Sequence, residues 1–182
     1  MSLSGRRKSY KILLLGDPAV GKTSLRKRFM GEGFKAGNYM PTLGADFSVK
    51  RFERNVMQVW DLAGQMVYKS IRDQFYKGAS GILLLFDIKN PVTFSHLTNW
   101  IDEAITSLKY QIPLYLIGNK SDLRDGKSDE INSEQVHEYI TKLTDWYKFD
   151  VKFFETSAMT GKNIDLVFSE IVKEIDEWLH QS

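Results

Sequence analysis

The chain has 182 residues, of which 42% are hydrophobic and 26% are charged, and this composition is that of an ordinary globular protein. Its formal net charge of +2 provides no overall attraction to nucleic acid, so we expect no nucleic-acid partner. The sequence has no cysteine, which excludes a disulfide, a cysteine nucleophile, and prenylation or palmitoylation. No apolar run reaches the ~18 residues of a membrane helix, so we expect no membrane span, and no lipid anchor is visible in the sequence.

Short apolar runs alternate with amphipathic stretches along the chain. The runs predict strands over residues 11–15, 47–51, 56–60, 81–86, 113–117 and 151–154. Most are almost continuously apolar, as in strands covered on both faces, whereas residues 47–51 alternate, as at a sheet edge, and residues 52–55 predict a hairpin turn. Helical spacing predicts helices over residues 23–30, 91–108, 132–143 and 163–179, with Asn132 and Gln135 as an N-cap and its N3 partner.

This order of elements predicts an α/β fold of the doubly wound type. We expect a mostly parallel six-stranded sheet with one antiparallel edge strand and helices on both faces. Residues 10–182 should form one domain, preceded by a flexible segment over residues 1–9. Because ligands of such sheets lie beyond the carboxyl ends of the strands, functional motifs should follow the apolar runs.

The first such motif is the stretch from Gly16 to Thr23, which fits G-x-x-x-x-G-K-[ST] between a predicted strand and a predicted helix. Glycines let the backbone wrap a phosphate, and the helix N-terminus adds partial positive charge. Lys22 should reach the β- and γ-phosphates, and the Thr23 hydroxyl should bind magnesium. The predicted nucleotide contacts in this stretch are Asp17, Pro18, Ala19, Val20, Gly21, Lys22, Thr23 and Ser24. The motif alone does not separate ATP from GTP.

The next motif, N-K-x-D, comprises Asn119, Lys120 and Asp122 and follows a predicted strand. Together with the phosphate loop, this motif resembles the guanine-binding motif of the Ras superfamily, the small GTPases with a P-loop G domain. The Asp122 carboxylate accepts hydrogen bonds from N1–H and the exocyclic amine of guanine, a pair of donors that adenine lacks. The resemblance implies that the stem of Lys120 lies along the base and that Asn119 ties this loop to the phosphate loop.

A second base motif follows the last predicted strand as Glu-Thr-Ser-Ala at residues 155–158. Its resemblance to the family motif implies that the Ala158 N–H contacts guanine O6 and that Ser157 braces the loop. Leu123 and Met159, next to the two base motifs, complete the predicted base-side contacts.

Two further segments resemble the switch regions of the family. Residues 61–65 match D-x-x-G-Q, which implies that Asp61 holds magnesium through water, that the Gly64 N–H contacts the γ-phosphate, and that Gln65 orients the attacking water. Residues 39–47 resemble the effector loop, in which Thr42 would contact both magnesium and the γ-phosphate. The predicted metal ligands are thus Thr23, Thr42 and Asp61, and the predicted catalytic residues are Gln65, Lys22 and Thr42.

Two aromatic residues should complete the nucleotide site. By the same resemblance, Tyr39 closes over the phosphates and Phe34 packs on the guanine edge. One departure concerns Pro18, because the family position that faces the catalytic glutamine is normally small. We therefore hypothesise that Pro18 alters the approach of a stimulating protein more than it alters nucleotide binding.

Residues 43–47, 75–79 and 84–88 resemble segments of the Rab subfamily. The resemblance implies a monomeric cytoplasmic switch that binds GTP or GDP with Mg²⁺, hydrolyses GTP slowly, and meets effectors, an exchange factor and a GTPase-activating protein at its switch regions. It also points to membrane trafficking, with peripheral contact at the cytosolic face of a membrane left open. Three alternatives remain: a nucleotide-binding pseudo-GTPase acting as an interaction module, a P-loop ATPase or kinase, and a scaffold with constitutive partners.

Overall fold

The predicted apolar runs form one six-stranded sheet. The computed structural model describes residues 8–32, 41–52, 55–65, 69–126, 130–148 and 150–181. Within these residues the strands and helices are, in chain order, β1 (Ser9–Leu15), α1 (Lys22–Phe29), β2 (Ala45–Phe52), β3 (Asn55–Leu62), α2 (Lys69–Tyr76), β4 (Gly81–Asp87), α3 (Pro91–Ser95), α4 (Leu97–Leu108), β5 (Leu114–Asn119), α5 (Ser133–Tyr147), β6 (Val151–Glu155) and α6 (Ile164–Gln181).

The strand order across the sheet is β2-β3-β1-β4-β5-β6. β2 pairs antiparallel with β3, and the other four pairings are parallel. The predicted fold class, a mostly parallel sheet with one antiparallel edge strand, is therefore confirmed. β1 begins at Ser9, one residue before the predicted start of the domain, and residues 1–7 lie outside the described part of the chain.

Neighbouring residues of a strand point to opposite faces of the sheet, and the central strands are buried on both faces. On β1, Leu13 and Leu15 belong to the core beneath α4 and α5, whereas Ile12 and Leu14 belong to the core beneath α1 and α6. Every residue of β4 and of β5 is buried. β2 lies at the sheet edge, as its alternating sequence predicted, but its apolar residues Phe47 and Val49 are exposed, whereas Ser48 and Lys50 are half-buried.

The helix predicted over residues 91–108 is wrong in one respect, because the structure divides it at His96 into α3 and α4. The hydroxyls of Thr93 and Ser95 donate to the carbonyls of Asn90 (2.8 Å) and Val92 (2.7 Å), three residues earlier. Such bonds from a side chain back to the helix compete with the regular ladder and favour a break. The predicted N-cap of α5 is confirmed, since Asn132 and Gln135 form a reciprocal capping box.

The helix α2 was absent from the sequence prediction. Its buried face pairs an arginine with an aromatic residue, because Arg72 and Tyr76 are both completely buried while Ile71 is 41% exposed. A period search that looks for apolar residues on the inner face therefore overlooks it. Among the described helices none is both long enough and apolar enough to cross a membrane.

Candidate nucleotide-binding site

The phosphate loop joins β1 to α1 at the carboxyl edge of the sheet, and two of its positions require glycine. A Cβ on Gly16, whose φ is +130°, would lie 2.2 Å from the carbonyl oxygen of Leu85. A Cβ on Gly21, whose φ is +100°, would lie 2.3 Å from the Nδ2 atom of Asn119. Both the left-handed backbone and the close approach of neighbours exclude a side chain there. The spacing of the two glycines in the motif thus follows from tight packing on both sides of the loop.

Lys22, the first residue of α1, is held against the loop by its ammonium group. Its Nζ donates to the carbonyl oxygens of Gly16 (2.7 Å) and Asp17 (2.8 Å). Burial lowers the pKa of Lys22 to about 8, although the carboxylates of Asp61 and Asp17 raise it in part. A buried cation at a helix N-terminus suits the binding of a phosphate group.

The three predicted metal ligands lie together. Thr23 donates its hydroxyl hydrogen to Oδ2 of Asp61, and the Thr42 hydroxyl lies 3.3 Å both from the Thr23 hydroxyl and from Asp61 Oδ2. Asp61 is fully buried at the end of β3. Its Oδ1 atom has no hydrogen-bond partner among the residues that the structure describes. Burial raises the pKa of Asp61, and the Thr23 hydrogen bond and the Lys22 charge partly offset this effect.

This cluster fits Mg²⁺. The ion typically takes one or two carboxylates from the protein and completes its shell with hydroxyls, water and phosphate oxygens. One buried carboxylate with an unpaired oxygen and two hydroxyls meet that preference, and a cation would favour the charged form of Asp61. No group of three or more His, Cys, Asp or Glu side chains suited to a metal occurs in the described part of the chain.

Asn119, at the end of β5, connects the phosphate loop to both base motifs. Its side chain is buried, and its Nδ2 donates to the carbonyl oxygen of Val20 (2.9 Å). Its Oδ1 accepts hydrogen bonds from the Thr156 hydroxyl (3.0 Å) and the Ala158 N–H (3.3 Å). The link between loops that was predicted for Asn119 is present in the structure. The Ala158 N–H, predicted to contact guanine O6, points towards Asn119 here.

The base-side carboxylate lies next to the second base motif. The Ser157 hydroxyl donates to Oδ1 of Asp122 and accepts a hydrogen bond from the Thr160 N–H at 3.0 Å. Asp122 is exposed, as are Leu123 and Met159 on either side of the two loops. Ser157 therefore fixes one oxygen of Asp122, and the carboxylate stays accessible to a ligand.

Lys120 is positioned by its backbone and by an ion pair. It has a φ of +66°, and its Nζ lies 2.6 Å from Oδ2 of Asp87 at the end of β4. Asp87 in turn accepts a hydrogen bond from the backbone N–H of Lys89 at 3.0 Å. The ammonium group is thus fixed to Asp87 on the neighbouring strand β4. The predicted contact of the Lys120 stem with the base stays a prediction.

The segment at residues 63–65 lies directly against the phosphate loop. A Cβ on Gly64 would come within 2.6 Å of the Asp17 carbonyl carbon and of the Pro18 nitrogen. Only glycine permits this approach. Gln65 follows it, is half-buried, and has its backbone carbonyl held by Arg72 at 2.7 Å. Ser24 is half-buried on α1. The predicted contacts Phe34 and Tyr39 lie outside the described residues.

Three residues beside the site were missed by sequence reasoning. Trp100 and His96 both bind Asp17, through Trp100 Nε1 to Oδ1 (2.8 Å) and His96 Nδ1 to Oδ2 (2.6 Å). Arg72 binds the backbone of residues 63 and 65. The available signal for α2 was the four-residue spacing of Ile71 with Phe75 and of Arg72 with Tyr76, which is helical although one of the buried positions holds an arginine.

The fold and the site define a P-loop protein of the G-domain type. The model of the Ras family matches residues 11–177, and the chain belongs to the Ras family. It is 34% identical over 177 residues to the human Ras-related protein Rab-26, and the match covers 93% of this chain. It is 36% identical over 179 residues to RABG3f of Arabidopsis thaliana, covering 94% of this chain and 84% of that protein.

Part of the similarity is to longer proteins. The chain spans 64% of the length of human Rab-26. It is also 37% identical over 174 residues to a mouse Ras and EF-hand domain-containing protein homolog, covering 93% of this chain and 27% of that protein. The predicted membership of the Ras superfamily and the resemblance to Rab proteins are confirmed.

Proposed function

We propose that the protein is a guanine-nucleotide switch that binds GTP or GDP with Mg²⁺ and slowly hydrolyses GTP to GDP and phosphate. The observation that carries the proposal is the Asn119 side chain, which joins the phosphate loop to both base motifs. A phosphate site and a base site fixed to each other in this way suit one ligand that has both parts. The membership of the Ras family supports the same conclusion.

Guanine recognition rests on Asp122, with one oxygen fixed by Ser157. The carboxylate accepts from the two donors on the guanine edge, and adenine offers no such pair. This feature favours GTP over ATP, and a competition assay in which unlabelled ATP fails to displace labelled GDP tests it. The P-loop ATPase reading predicts displacement by both nucleotides.

Each residue has a separate task in hydrolysis. Lys22 binds phosphate oxygens, and Thr23, Thr42 and Asp61 would hold Mg²⁺, which neutralises charge on those oxygens. Gln65 orients the attacking water, whose oxygen forms a bond to the γ-phosphorus as the bond to the β,γ-bridging oxygen breaks. Catalysis of this kind is mainly positioning and electrostatics. Without a partner we expect turnover on the order of 10⁻⁴ s⁻¹, as in related switches.

An effector surface next to the switch segments accords with signalling. The Phe47 and Trp60 rings stack at 4.7 Å between centroids, and the Phe75 ring lies 5.6 Å from that of Trp60. Leu43 and Phe47 are exposed, by 77% and 51%. Exposed apolar residues that form a contiguous patch commonly mark a protein interface. We propose that effectors, an exchange factor and an activating protein meet the chain here, in a Rab-like role in membrane trafficking.

Single-turnover hydrolysis of bound GTP tests the enzymatic part of the proposal. The wild-type protein should convert GTP to GDP slowly, and Gln65→Leu should be slower by about 10-fold or more, because the attacking water loses its positioning group. Gln74→Leu is the matched control: it makes the same chemical change at an exposed position of α2 and should leave the rate unaltered.

The pseudo-GTPase alternative is decided by the same assay. It predicts GTP binding without turnover, and no difference between the wild type and Gln65→Leu. Pro18 beside Gly64 is the observation that favours it, since the ring lies at the boundary between the phosphate loop and the segment that carries Gln65. Binding of partners to the GDP form and to the form with a non-hydrolysable GTP analogue, compared in one pull-down, separates a switch from a constitutive scaffold.

A further inference from the structure

Arg72 on α2 is a fully buried arginine that the roles above do not use. Its Nε and Nη2 donate to the two carboxylate oxygens of Glu103 on α4, at 2.7 and 2.8 Å. Its Nη1 donates to the backbone carbonyl oxygens of Ala63 (2.9 Å) and Gln65 (2.7 Å). The guanidinium group thus joins a buried carboxylate to two carbonyls of the switch segment.

The two carbonyls lie on either side of Gly64. Fixing both restricts rotation of the backbone on each side of this residue, and so restricts the direction of the Gly64 N–H and the origin of the Gln65 side chain. Gly64 itself lies against the phosphate loop, with room for no Cβ next to Asp17 and Pro18. Arg72 therefore sets the position of the switch segment relative to the phosphate loop.

Helix α4 carries a second link to the same loop. The Arg72 guanidinium lies 4.5 Å from the centre of the Trp100 ring, and Trp100 Nε1 donates to Asp17 Oδ1 at 2.8 Å. Glu103 and Trp100 are three residues apart on one face of α4. The helix thus contacts Arg72 through both Glu103 and Trp100, and Trp100 also binds the phosphate loop.

The contacts identify support rather than direct contact with a phosphate. Four N–H donors of Arg72 are already engaged within the protein, and the side chain has no exposed surface. Only a planar guanidinium can bind a carboxylate in two places and two carbonyls at once, and lysine cannot replace it.

We propose that Arg72 is a positioning residue for GTP hydrolysis. It holds the carbonyls of residues 63 and 65 so that the Gly64 N–H and the Gln65 side chain meet the γ-phosphate and the attacking water in the reactive arrangement. The inference rests on the proposed function and adds to it a residue that acts through Gly64 and Gln65. Nucleotide binding depends on the phosphate loop and the base motifs, which Arg72 does not contact, and is not part of this role.

The test is to separate hydrolysis from nucleotide binding in Arg72→Lys. We expect single-turnover hydrolysis of bound GTP to slow by about 10- to 100-fold, because a displacement of the reacting groups by about 1 Å has a cost of that order. The rate of GDP dissociation should change by less than about threefold, since its determinants lie elsewhere. A purely structural role for Arg72 would alter thermal stability and GDP release but not the rate at which bound GTP is cleaved.

Tyr76→Phe is the matched control. The Tyr76 hydroxyl donates to Oε1 of Glu103 at 2.9 Å, so its removal weakens the same buried network without touching the carbonyls of residues 63 and 65. This variant should lose stability and keep the wild-type hydrolysis rate. Equal slowing in Tyr76→Phe and Arg72→Lys would overturn the positioning role in favour of general loosening of α2.

Glu103→Gln covers the case in which Arg72→Lys fails to fold. Glutamine keeps the shape of the side chain but offers one acceptor oxygen, so Arg72 loses one of its two bonds to α4. Hydrolysis should slow by several-fold, with GDP release preserved. A wild-type hydrolysis rate in either folded variant overturns the inference and leaves the proposed function intact. A wild-type protein that binds GTP without cleaving it overturns both.

Discussion

The two sides of the candidate site are held in place by different means. On the base side, the buried side chain of Asn119 makes three hydrogen bonds of 2.9 to 3.3 Å that join three loops. On the switch side, the hydroxyl of Thr42 lies 3.3 Å from each of its neighbours, Thr23 and Asp61, which is longer than an ordinary hydrogen bond between oxygens. The protein alone forms the base side. On the switch side, a bound ligand could instead take the place of the long contacts of Thr42.

This difference agrees with the two tasks of a switch. A preformed base side binds a nucleotide without first having to be ordered, which favours affinity. A switch side must instead respond to the nucleotide, and a ligand shifts a conformation only through contacts that it makes unequally in two states. Gly64 and Gln65 lie between these extremes, since Arg72 fixes their backbone while the Gln65 side chain stays partly exposed.

The largest expected effect is on the base side, with Asp122→Asn. An amide cannot accept hydrogen bonds from both donors of guanine, and a site that loses such a pair loses about 10⁴-fold in discrimination. We expect the affinity for GDP to fall by that order. Xanthosine diphosphate, which has a carbonyl in place of the exocyclic amine, should bind the variant better than GDP does. Competition against a fluorescent nucleotide measures both affinities.

Ser121→Ala is the control for this prediction. Ser121 lies in the same turn, and its buried hydroxyl has no hydrogen-bond partner in the part of the chain described. Removing an unpaired hydroxyl is expected to change the affinity by less than about twofold. If Ser121→Ala lost as much affinity as Asp122→Asn, the shape of the turn, and not the carboxylate, would determine binding.

Much of the fold could be predicted because its local signals agree with its tertiary structure. The strands β4 and β5 are buried on both faces and therefore appear as continuous apolar runs. The N-cap of α5 is specified by two residues three positions apart. The helix α2 could not be found in this way, because its inner face carries Arg72, whose burial makes sense only when Glu103 on α4 is in place.

In the candidate site, too, residues set by local demands could be predicted, and residues set by tertiary contacts could not. The glycines, Lys22 and Asn119 could be located from motif spacing, because each answers a local demand of the backbone or of a phosphate. The partners of Asp17 could not, since Trp100 on α4 and His96 between α3 and α4 lie more than 75 residues later in the chain. The roles of Phe34 and Tyr39 stay predictions, as they lie outside the described residues.

The second prediction concerns the metal ligands that link the two sides. Thr23→Ala removes a hydroxyl that Mg²⁺ would need, while Asp61 remains buried with an oxygen unpaired among the described residues. Metal affinity should fall by about 100-fold, the order seen when a metal site loses a supporting group. GDP should then dissociate faster, and a chelator should accelerate its release from the wild type but not from the variant. Stopped-flow fluorescence with and without the chelator measures this.

Thr23→Ser separates the hydroxyl from the methyl group. Serine keeps the hydroxyl, so the wild-type response to the chelator should return. If both variants released GDP quickly and ignored the chelator, packing of the Thr23 methyl group would explain the effect.

The smallest effect is expected at Pro18, where the phosphate loop meets the switch segment. Pro18 is exposed, has no N–H to donate, and lies beside Gly64. We expect Pro18→Gly to change GDP affinity and intrinsic hydrolysis by less than about threefold, because neither Lys22 nor Gln65 is held by the ring. Hydrolysis stimulated by a GTPase-activating domain should rise by about 10-fold, since the ring no longer occupies the approach to the site.

Pro18→Ala distinguishes the loss of the ring from the added flexibility of glycine, because alanine, like glycine, lacks the ring and has an N–H but keeps a Cβ. Similar stimulation of Pro18→Ala and Pro18→Gly would assign the effect to the proline ring and its missing N–H, and stimulation of Pro18→Gly alone would assign it to the flexibility that glycine adds to the loop. Both assays use a panel of purified activating domains for Rab-type proteins, with the intrinsic rate as the baseline. Equal rates for Pro18→Gly and the wild type, both intrinsic and stimulated, would contradict the hypothesis. Pro18 would then affect neither the base side nor the switch side of the site.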